Sequence, residues 1–324
     1  MEQNSRNHVG VQSNNPGARV YAAIVLIFDL CVIFAQWTYF VFEGIYQLFK
    51  PPTEKSVSGD IVLITGTGHG IGRELALQYS ALGATVVCWD INEEGNKETV
   101  SEIRARKGKA HAYVCDVSRR DAILEVAKKV KTEVGTVTIL VNNAGIMPCH
   151  PFLQHSEAEI RKIFDINVLA HFWMMQAFLP DMIKNHGHIV SLSSMAGIVG
   201  LQNLVPYCGS KFAVRGLAEA MNEELRMQGM VEKIKFTTIY PYMVDTGLCK
   251  KPYMRFKNLM KLIRPDEAAA AIISAQRREL VEASIPKYLL YLNGFTRLFP
   301  IKCGVLLKDF FNSGVHSDLT EETK

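Results

Sequence analysis

A chain of 324 residues, 48% of them hydrophobic, can bury one large α/β domain or two small ones. Its net charge of +4 is too modest to point to nucleic acid. The seven cysteines (31, 88, 115, 149, 208, 249 and 303) form no Cys-x-x-Cys pair and no ligand-like spacing with histidine, which fits a reducing compartment and argues against a disulfide framework or a zinc site.

The chain opens on a polar stretch, residues 1–19, rich in Asn, Gln, Ser and Gly, which is expected to be disordered. Residues 20–50 then read as a membrane-associated hydrophobic helix, "VYAAIVLIFDLCVIFAQWTYFVFEGIYQLF" and its flank. The run is too long for a signal-peptide core and lacks a small-residue cleavage site. Val20 to Phe42 exceeds the roughly 20 apolar residues that a spanning helix needs, although Asp29 near its centre costs about 3 kcal/mol. Asp29, Gln36 and Glu43 fall seven apart and make one narrow polar stripe. The stripe suits a helix lying in the interface, or packed on a protein surface, better than a bare span; both arrangements stay open. A buried core helix is the plainer reading, but so long an apolar run ahead of a complete domain has no core to join. Arg6 and Arg19 before the run balance Lys50 and Lys55 after it, so charge sets no orientation. "KPPTEKSVSG" (50–59) reads as a linker, its paired prolines ending the helix.

From residue 60 the pattern changes. "DIVLIT" (60–65) is a β-branched strand, "GTGHGIG" (66–72) a glycine loop, and "RELALQYSALG" (73–83) an amphipathic helix. A lone glycine loop is as readily a tight turn. Between a strand and a helix it lets the backbone approach a pyrophosphate at the helix N-terminus. The next strand, "ATVVCWD" (84–90), ends in Asp90, where an acid hydrogen-bonds the adenosine ribose and repels a 2′-phosphate, favouring NAD over NADP. A surface aspartate is the plainer alternative. "AHAYVCD" (110–116) ends in Asp116, and "TVTILVNNAG" (136–145) ends in Asn142, Asn143 and Gly145. Helical stretches at about 93–107 and 118–134 separate these runs. Alternating strands and helices imply a parallel sheet whose ligand lies at the carboxyl ends of the strands, where Gly66, Asp90, Asp116 and Asn143 fall.

With these motifs in order, the chain resembles the short-chain dehydrogenase/reductase family over about residues 58–287. The resemblance rests on "TGTGHGIG" (65–72), "CDV" (115–117), "NNAG" (142–145), "INV" around Asn167, "SLSS" (191–194), "YCGSK" (207–211) and "PYMVDTG" (241–247). Within the family it is most similar to the membrane-associated branch of retinol and lipid-droplet hydroxysteroid dehydrogenases, through "GHGIGR", "WDIN", "AHFWMMQAFLP", "YCGSKFA" and "FPIKCGVLLKDFF". The resemblance implies that Gly66, Gly70, Ile71, Gly72, Asp90, Asp116, Val117, Asn143, Ala144 and Gly145 meet the adenosine side of a bound cofactor and its pyrophosphate. Tyr207, Lys211, Pro241, Val244 and Thr246 would meet the nicotinamide side. Catalysis is implied for Asn167, Ser194, Tyr207 and Lys211, with Ser194 and Tyr207 against the substrate and no metal. A tyrosine of pKa about 10 is a poor base at neutral pH. Lys211, one helical turn on, supplies positive charge favouring the phenolate, and the family also uses it to hold the nicotinamide ribose. Ser194, thirteen residues before Tyr207, would donate to the substrate oxygen, with Ser193 the adjacent alternative. Asn167 would hold waters linking Lys211 to solvent, or simply kink or cap its helix. His69, His150 and His171 have no partner spacing that recommends them for catalysis. Two departures stand out: Pro241-Tyr242 replaces the frequent Pro-Gly, and Cys208-Gly209 replaces the usual small pair, hinting at close packing there.

The loop "GLCKKPYMRFKNLMKLIR" (247–264) carries Lys250, Lys251, Arg255, Lys257, Lys261 and Arg264 among apolar residues that include Tyr253, Leu259 and Met260. It is either an ordinary mobile lid or one that also docks on anionic lipid. The tail 288–324, an amphipathic extension, either does the same or closes over the protein's own pocket. These readings add up to an α/β fold: a doubly wound, Rossmann-type parallel sheet in one catalytic domain (58–287), behind an N-terminal hydrophobic membrane segment. The expected protein is an NAD-dependent dehydrogenase of a lipophilic alcohol (retinol-like, steroid or other lipid), homodimeric, with no nucleic-acid partner. It would face the cytosol from the endoplasmic reticulum membrane or lipid droplets. Two rivals are a non-catalytic lipid-droplet scaffold, disfavoured by the intact Ser194–Tyr207–Lys211 set, and an NADPH-dependent carbonyl reductase, disfavoured by Asp90.

Overall fold

The structure, a computed structural model, describes residues 16–256 and 261–319. The chain divides into two units, Met1–Thr53 and Glu54–Lys324. In the first, α1 (Pro16–Phe49) is one unbroken helix of 34 residues with none buried. Its start corrects the sequence reading: residues 16–19 are helical, with Pro16 in the first helical position that proline favours. Residues 1–15 of the predicted disordered stretch lie outside the described residues. By length and composition α1 can cross a membrane. At 1.5 Å per residue it is roughly 51 Å long, against a hydrocarbon core of roughly 30 Å.

The second unit is built on β1 (Ile61–Thr65), β2 (Thr85–Asp90), β3 (Lys109–Val114), β4 (Ile139–Asn142), β5 (Gly187–Leu192) and β6 (Ile234–Pro241). Two short strands pair with each other, β7 (Pro252–Met254) and β9 (Ser313–Val315), and β8 (Glu282–Ile285) completes the main sheet. That sheet has seven strands in the order β3-β2-β1-β4-β5-β6-β8, all parallel. β1 and β2 each start one residue later than the apolar runs that announced them, and β4 fills only the middle of the run 136–145. The third ends at Val114, so Cys115 and Asp116 leave the ladder.

Strand after strand reads as continuously apolar because both faces are covered. Val62, Ile64, Val86, Cys88, Ile139 and Val141 point to one face, against α2 (Gly70–Ala81), α3 (Glu93–Ala105) and α8 (Pro265–Arg277). Leu63, Val87, Trp89 and Leu140 point to the other, against α4 (Arg120–Glu133), α6 (Ala170–Lys184) and α7 (Val205–Met227). A short helix, α5 (Glu157–Phe164), runs into α6 through a π-helical turn at Asp165–Leu169. The fold and the apolar N-terminal helix are those expected from sequence. The linker is shorter than expected: Glu54 already pairs with Arg277 and Arg278, and Val57 is buried.

The tail folds as α9 (Tyr288–Thr296), α10 (Ile301–Phe311) and β9. Neither helix buries a residue, and Leu298, Ile301 and Leu306 are 79, 85 and 69% exposed.

Ile272 on α8 is fully buried in the first core cluster. Ile272→Ala is expected to lower the unfolding free energy by about 2–5 kcal/mol, read by urea denaturation with circular dichroism. A loss under about 0.5 kcal/mol, the range of neutral surface changes, would mean that α8 is not part of the core.

Candidate active site

The site begins where β1 and β4 end side by side. Asn143 Nδ2 donates to the carbonyls of Thr65 (2.8 Å) and Gly66 (3.2 Å), and Thr65 Oγ1 accepts from the amides of Asn143 and Ala144. The glycine loop threads this clasp. Gly66 (φ +77°) and Gly70 (φ +60°) hold the left-handed conformation, and a Cβ on Gly72 would lie 1.9 Å from the Gly66 carbonyl. His69, the N-cap of α2, offers no side-chain cap, so the first amides of the helix remain open to an anion.

Asp90 ends β2 half-buried. Its Oδ2 accepts from Gly68 N (2.8 Å) and its Oδ1 from Asn92 N (2.7 Å), so it shapes the glycine loop as well as facing the cleft. Sequence reading missed a support beneath it. Buried Asn96 on α3 accepts from Thr67 Oγ1 (2.7 Å) and donates to the carbonyls of Cys88 and Tyr113, tying the loop to β2 and β3. Asp116 accepts from both the amide and the hydroxyl of Ser118, a turn that keeps it at the cleft after it has left the strand.

Across the cleft, α7 carries Tyr207 and Lys211 on one face. Both are buried, and Lys211 Nζ lies 5.7 Å from the centre of the Tyr207 ring. The ammonium donates to the Leu192 carbonyl at 2.8 Å. Burial pushes the Tyr207 phenol up to about 12, against the pull of a hydrogen bond with Ser194. Burial also pulls Lys211 down to about 8. Lys211 is expected from the sequence to acidify the phenol, but the lowering influence here comes from Ser194, and burial sets the net direction upward.

The two serines divide their tasks. Ser193 Oγ donates to the Lys211 carbonyl (2.8 Å), anchoring α7 to the end of β5. Ser194 Oγ accepts from Ala196 N and donates to the Pro241 carbonyl at 3.3 Å, beside Tyr207. Asn167 sits in the π-helical turn, fully buried. Its Oδ1 accepts from Ile146 N, and its Nδ2 donates to Ile146 O and Ser210 Oγ, pinning the segment after β4 to α7. His171, one turn on, is held neutral, its pKa lowered to about 3 by burial and then by the charge of Lys211.

One cavity of about 330 Å³ collects these groups. Among the predicted residues only Asn167 stays off its wall. Gly66, Gly70, Ile71 and Gly72 line one end with Asp90, Asp116 and Val117. Asn143, Ala144 and Gly145 line its floor, and Ser194, Tyr207, Lys211, Pro241, Val244 and Thr246 the rest. Open helix amides, a ribose-height carboxylate and glycines that admit no Cβ fit a dinucleotide. The glycine loop touches the far side directly, since a Cβ on Gly70 would meet Thr246 at 3.0 Å. Gly209 needs no such allowance: a Cβ there would make an ordinary 3.5 Å contact with Phe164, so close packing does not require the glycine.

Sequence reading gave a tail closed over the pocket as one alternative but named none of the residues at the apolar end of the cavity. Met147, Leu201, Leu204, Met243, Cys249 and Val315 line it, and Tyr242, the departure from Pro-Gly, joins them. Val315 belongs to β9, which pairs antiparallel with β7 in the basic loop, Tyr253 facing Gly314. Arg255 of that loop lies over the rings of Phe256 and Phe310, and Arg264 pairs with Asp266. Lys257, Leu259 and Met260 lie outside the described residues. The end of the tail therefore walls the pocket, while α9 and α10 leave apolar residues exposed.

A model of the short chain dehydrogenase family matches residues 60–253. The chain is 44% identical over 268 residues to epidermal retinol dehydrogenase 2 of Mus musculus, covering 82% of this chain and 86% of that one. It is 39% identical over 287 residues to estradiol 17-beta-dehydrogenase 11 of Mus musculus, covering 88% and 95%. The crystal structure of a short chain dehydrogenase/reductase from Burkholderia phymatum in complex with NAD superposes with a TM-score of 0.68 at 22% identity. That match covers 83% of this chain and 99% of the other, and it bears on the fold.

Lys211 yields a stability prediction. Its folded pKa lies below the value of about 10.4 in an unfolded chain, so stability is fullest above the latter and is lost as pH falls toward 8. Lys211→Met is expected to be on the order of 1–2 kcal/mol more stable than wild type at pH 7, after allowance for the lost bond to Leu192. That advantage should shrink as pH rises from 8 to 10 in denaturation curves; a pH-independent difference would contradict a depressed pKa.

Proposed function

The chain belongs to the short-chain dehydrogenase/reductase family, and on that premise we propose a membrane-anchored oxidoreductase that transfers a hydride between a lipophilic alcohol and NAD. The observation that carries this reading is the single cavity. It joins the glycine loop and Asp90 to Ser194 and Tyr207, and it ends in an apolar chamber. NAD, when bound, supplies the hydride acceptor. Tyr207 takes the alcohol proton through its phenolic oxygen, and Ser194 donates to the same substrate oxygen and steadies charge there. Lys211 holds the nicotinamide ribose and favours the phenolate. Asn167 fixes the backbone at Ile146 and keeps a path for waters toward Lys211.

Asp90 favours NAD, because its carboxylate would face a 2′-phosphate at the end of β2. The same charge speaks against a reductase that uses NADPH. The apolar chamber supports a retinoid, a steroid or another lipid alcohol, and the names of the two mouse relatives carry retinol and estradiol. α1 serves as the anchor, and the exposed apolar residues of α9 and α10 with the basic loop form a second contact with lipid. The protein works at the endoplasmic reticulum or lipid droplets with its catalytic unit in the cytosol. It pairs through α5, α6 and α7, a reading supported by the exposure of Leu169, Phe172 and Phe212.

Membranes carrying the protein, supplied with NAD and panels of retinol, steroids and fatty alcohols, should turn over at least one class. Tyr207→Phe should lower kcat by about 10²–10⁴ while NAD still binds. Activity surviving that change would remove the proposed mechanism, and NAD binding with no turnover of any alcohol by the wild type would favour a scaffold. Asp90→Asn retains an acceptor for Gly68 but loses the charge. It should raise the ratio of kcat/KM for NADP over NAD by about tenfold, equivalent to about 1.4 kcal/mol. An unchanged ratio would mean that Asp90 does not select the cofactor.

A further inference from the structure

The segment between β4 and α5 and the first turn of α5 bring together three side chains that no motif announced. His150 Nε2 lies 3.1 Å from Glu159 Oε1, and His155 Nδ1 lies 3.0 Å from Glu159 Oε2. The ring centres are 5.0 Å apart, and the three ligand-type atoms all fall within 4.8 Å of one another. The side chains are 11, 0 and 27% exposed. From this geometry we propose that His150, His155 and Glu159 form a binding site for a single divalent transition-metal ion of the zinc class, with a fourth position left to water.

Ligand chemistry supports the choice of ion. Two imidazoles and one carboxylate are borderline donors suited to zinc, and two neutral rings with one carboxylate leave a single negative charge to attract it. Atoms bound tetrahedrally at about 2.0–2.1 Å lie about 3.3 Å from each other. The two His–Glu pairs already stand at 3.1 and 3.0 Å, each on its own carboxylate oxygen, and one oxygen with the two ring nitrogens, all within 4.8 Å of one another, closes on an ion by side-chain shifts of up to about 1.5 Å. The carboxylate is also diverted from its local role. Ser156 caps α5 by accepting from Glu159 N, and a glutamate at this third helical position ordinarily returns its side chain to the cap amide. Here that side chain turns to the two histidines.

The far ring nitrogens, His150 Nδ1 and His155 Nε2, are buried without a hydrogen-bond partner. Metal-bound histidines usually donate that second N–H to an outer partner, and loss of such a partner weakens binding by about 10–100-fold. The site is therefore a regulatory or stiffening one of modest affinity. Its effect would reach the pocket. His150 follows Cys149, which exchanges backbone hydrogen bonds with the Asp318 side chain and amide and contacts His316 beside the wall strand β9. An ion at His150 would fasten that wall.

The test uses the full chain in detergent, dialysed free of metal, with zinc or cobalt(II) chloride as probe. One ion should bind per chain and raise the melting temperature. His155→Asn and Glu159→Gln, each checked for native circular dichroism, should weaken binding by about tenfold or more. X-ray absorption of the zinc-loaded wild type should show imidazole and oxygen at about 2.0–2.1 Å and no sulfur at about 2.3 Å. Sulfur ligation, binding unchanged in both variants, or no binding by the wild type would each overturn the proposal. None of these readouts depends on alcohol turnover, so the site can fail while the dehydrogenase reading stands.

Discussion

The cleft depends on how closely β1 and β4 approach at their carboxyl ends. Asn143 bridges the two strands by donating to the carbonyls of Thr65 and Gly66, and Gly72 fits beneath because it has no side chain. At this point the strand order reverses direction, which leaves a crevice that no crossover helix fills. Everything placed around the crevice inherits its geometry from that clasp. The open end of α2 faces it from one side. The Asn96 knot holds the loop from below, and Thr246 closes on Gly70 from the loop that follows β6.

The opposite wall is organised by a conflict between burial and charge. Lys211 and Tyr207 are both buried, and desolvation drives their proton affinities apart, the amine down and the phenol up. A structure selected for stability alone would place neither group there. The neighbouring backbone makes the arrangement tolerable. The Leu192 carbonyl receives the ammonium, Ser193 fixes the turn of α7 that carries it, and a neutral His171 keeps a second cation away. Asn167, although it never reaches the cavity, belongs to the same scaffold, because its amide holds Ile146 against Ser210.

What could be read in the chain beforehand follows from how local each signal is. β1, the glycine loop and α2 are contiguous, and the alternation of faces along β1, β2 and β4 is written directly into Val62–Leu63–Ile64 and its counterparts. The glycine-loop end of the cavity was legible for this reason, since its residues fall at predictable strand termini. The apolar end was not. Met147, Leu201, Cys249 and Val315 share no spacing, and only the packing of the tail onto the basic loop assembles them. The same holds for Asn96, an ordinary helix residue until its three hydrogen bonds are seen, and for His150, His155 and Glu159, whose spacing matches no ligand pattern. Short-range rules also placed the helix start and the linker a few residues out. Proline at position 16 opens a helix, and Glu54 finds arginines more than two hundred residues away.

The pairing of β7 with β9 has a consequence for how the molecule is made. During synthesis α1 emerges first, and the groups that line the glycine-loop end of the cavity are all present once residue 246 has left the ribosome. The apolar end must wait about seventy residues more, until Val315 arrives to face Pro252. At roughly 5–20 residues per second, that gap lasts from several seconds to about fifteen. For that time the nascent chain carries an apolar trough with one side missing. A hydrophobic molecule, a chaperone or a bilayer close at hand could occupy it before the protein's own strand does.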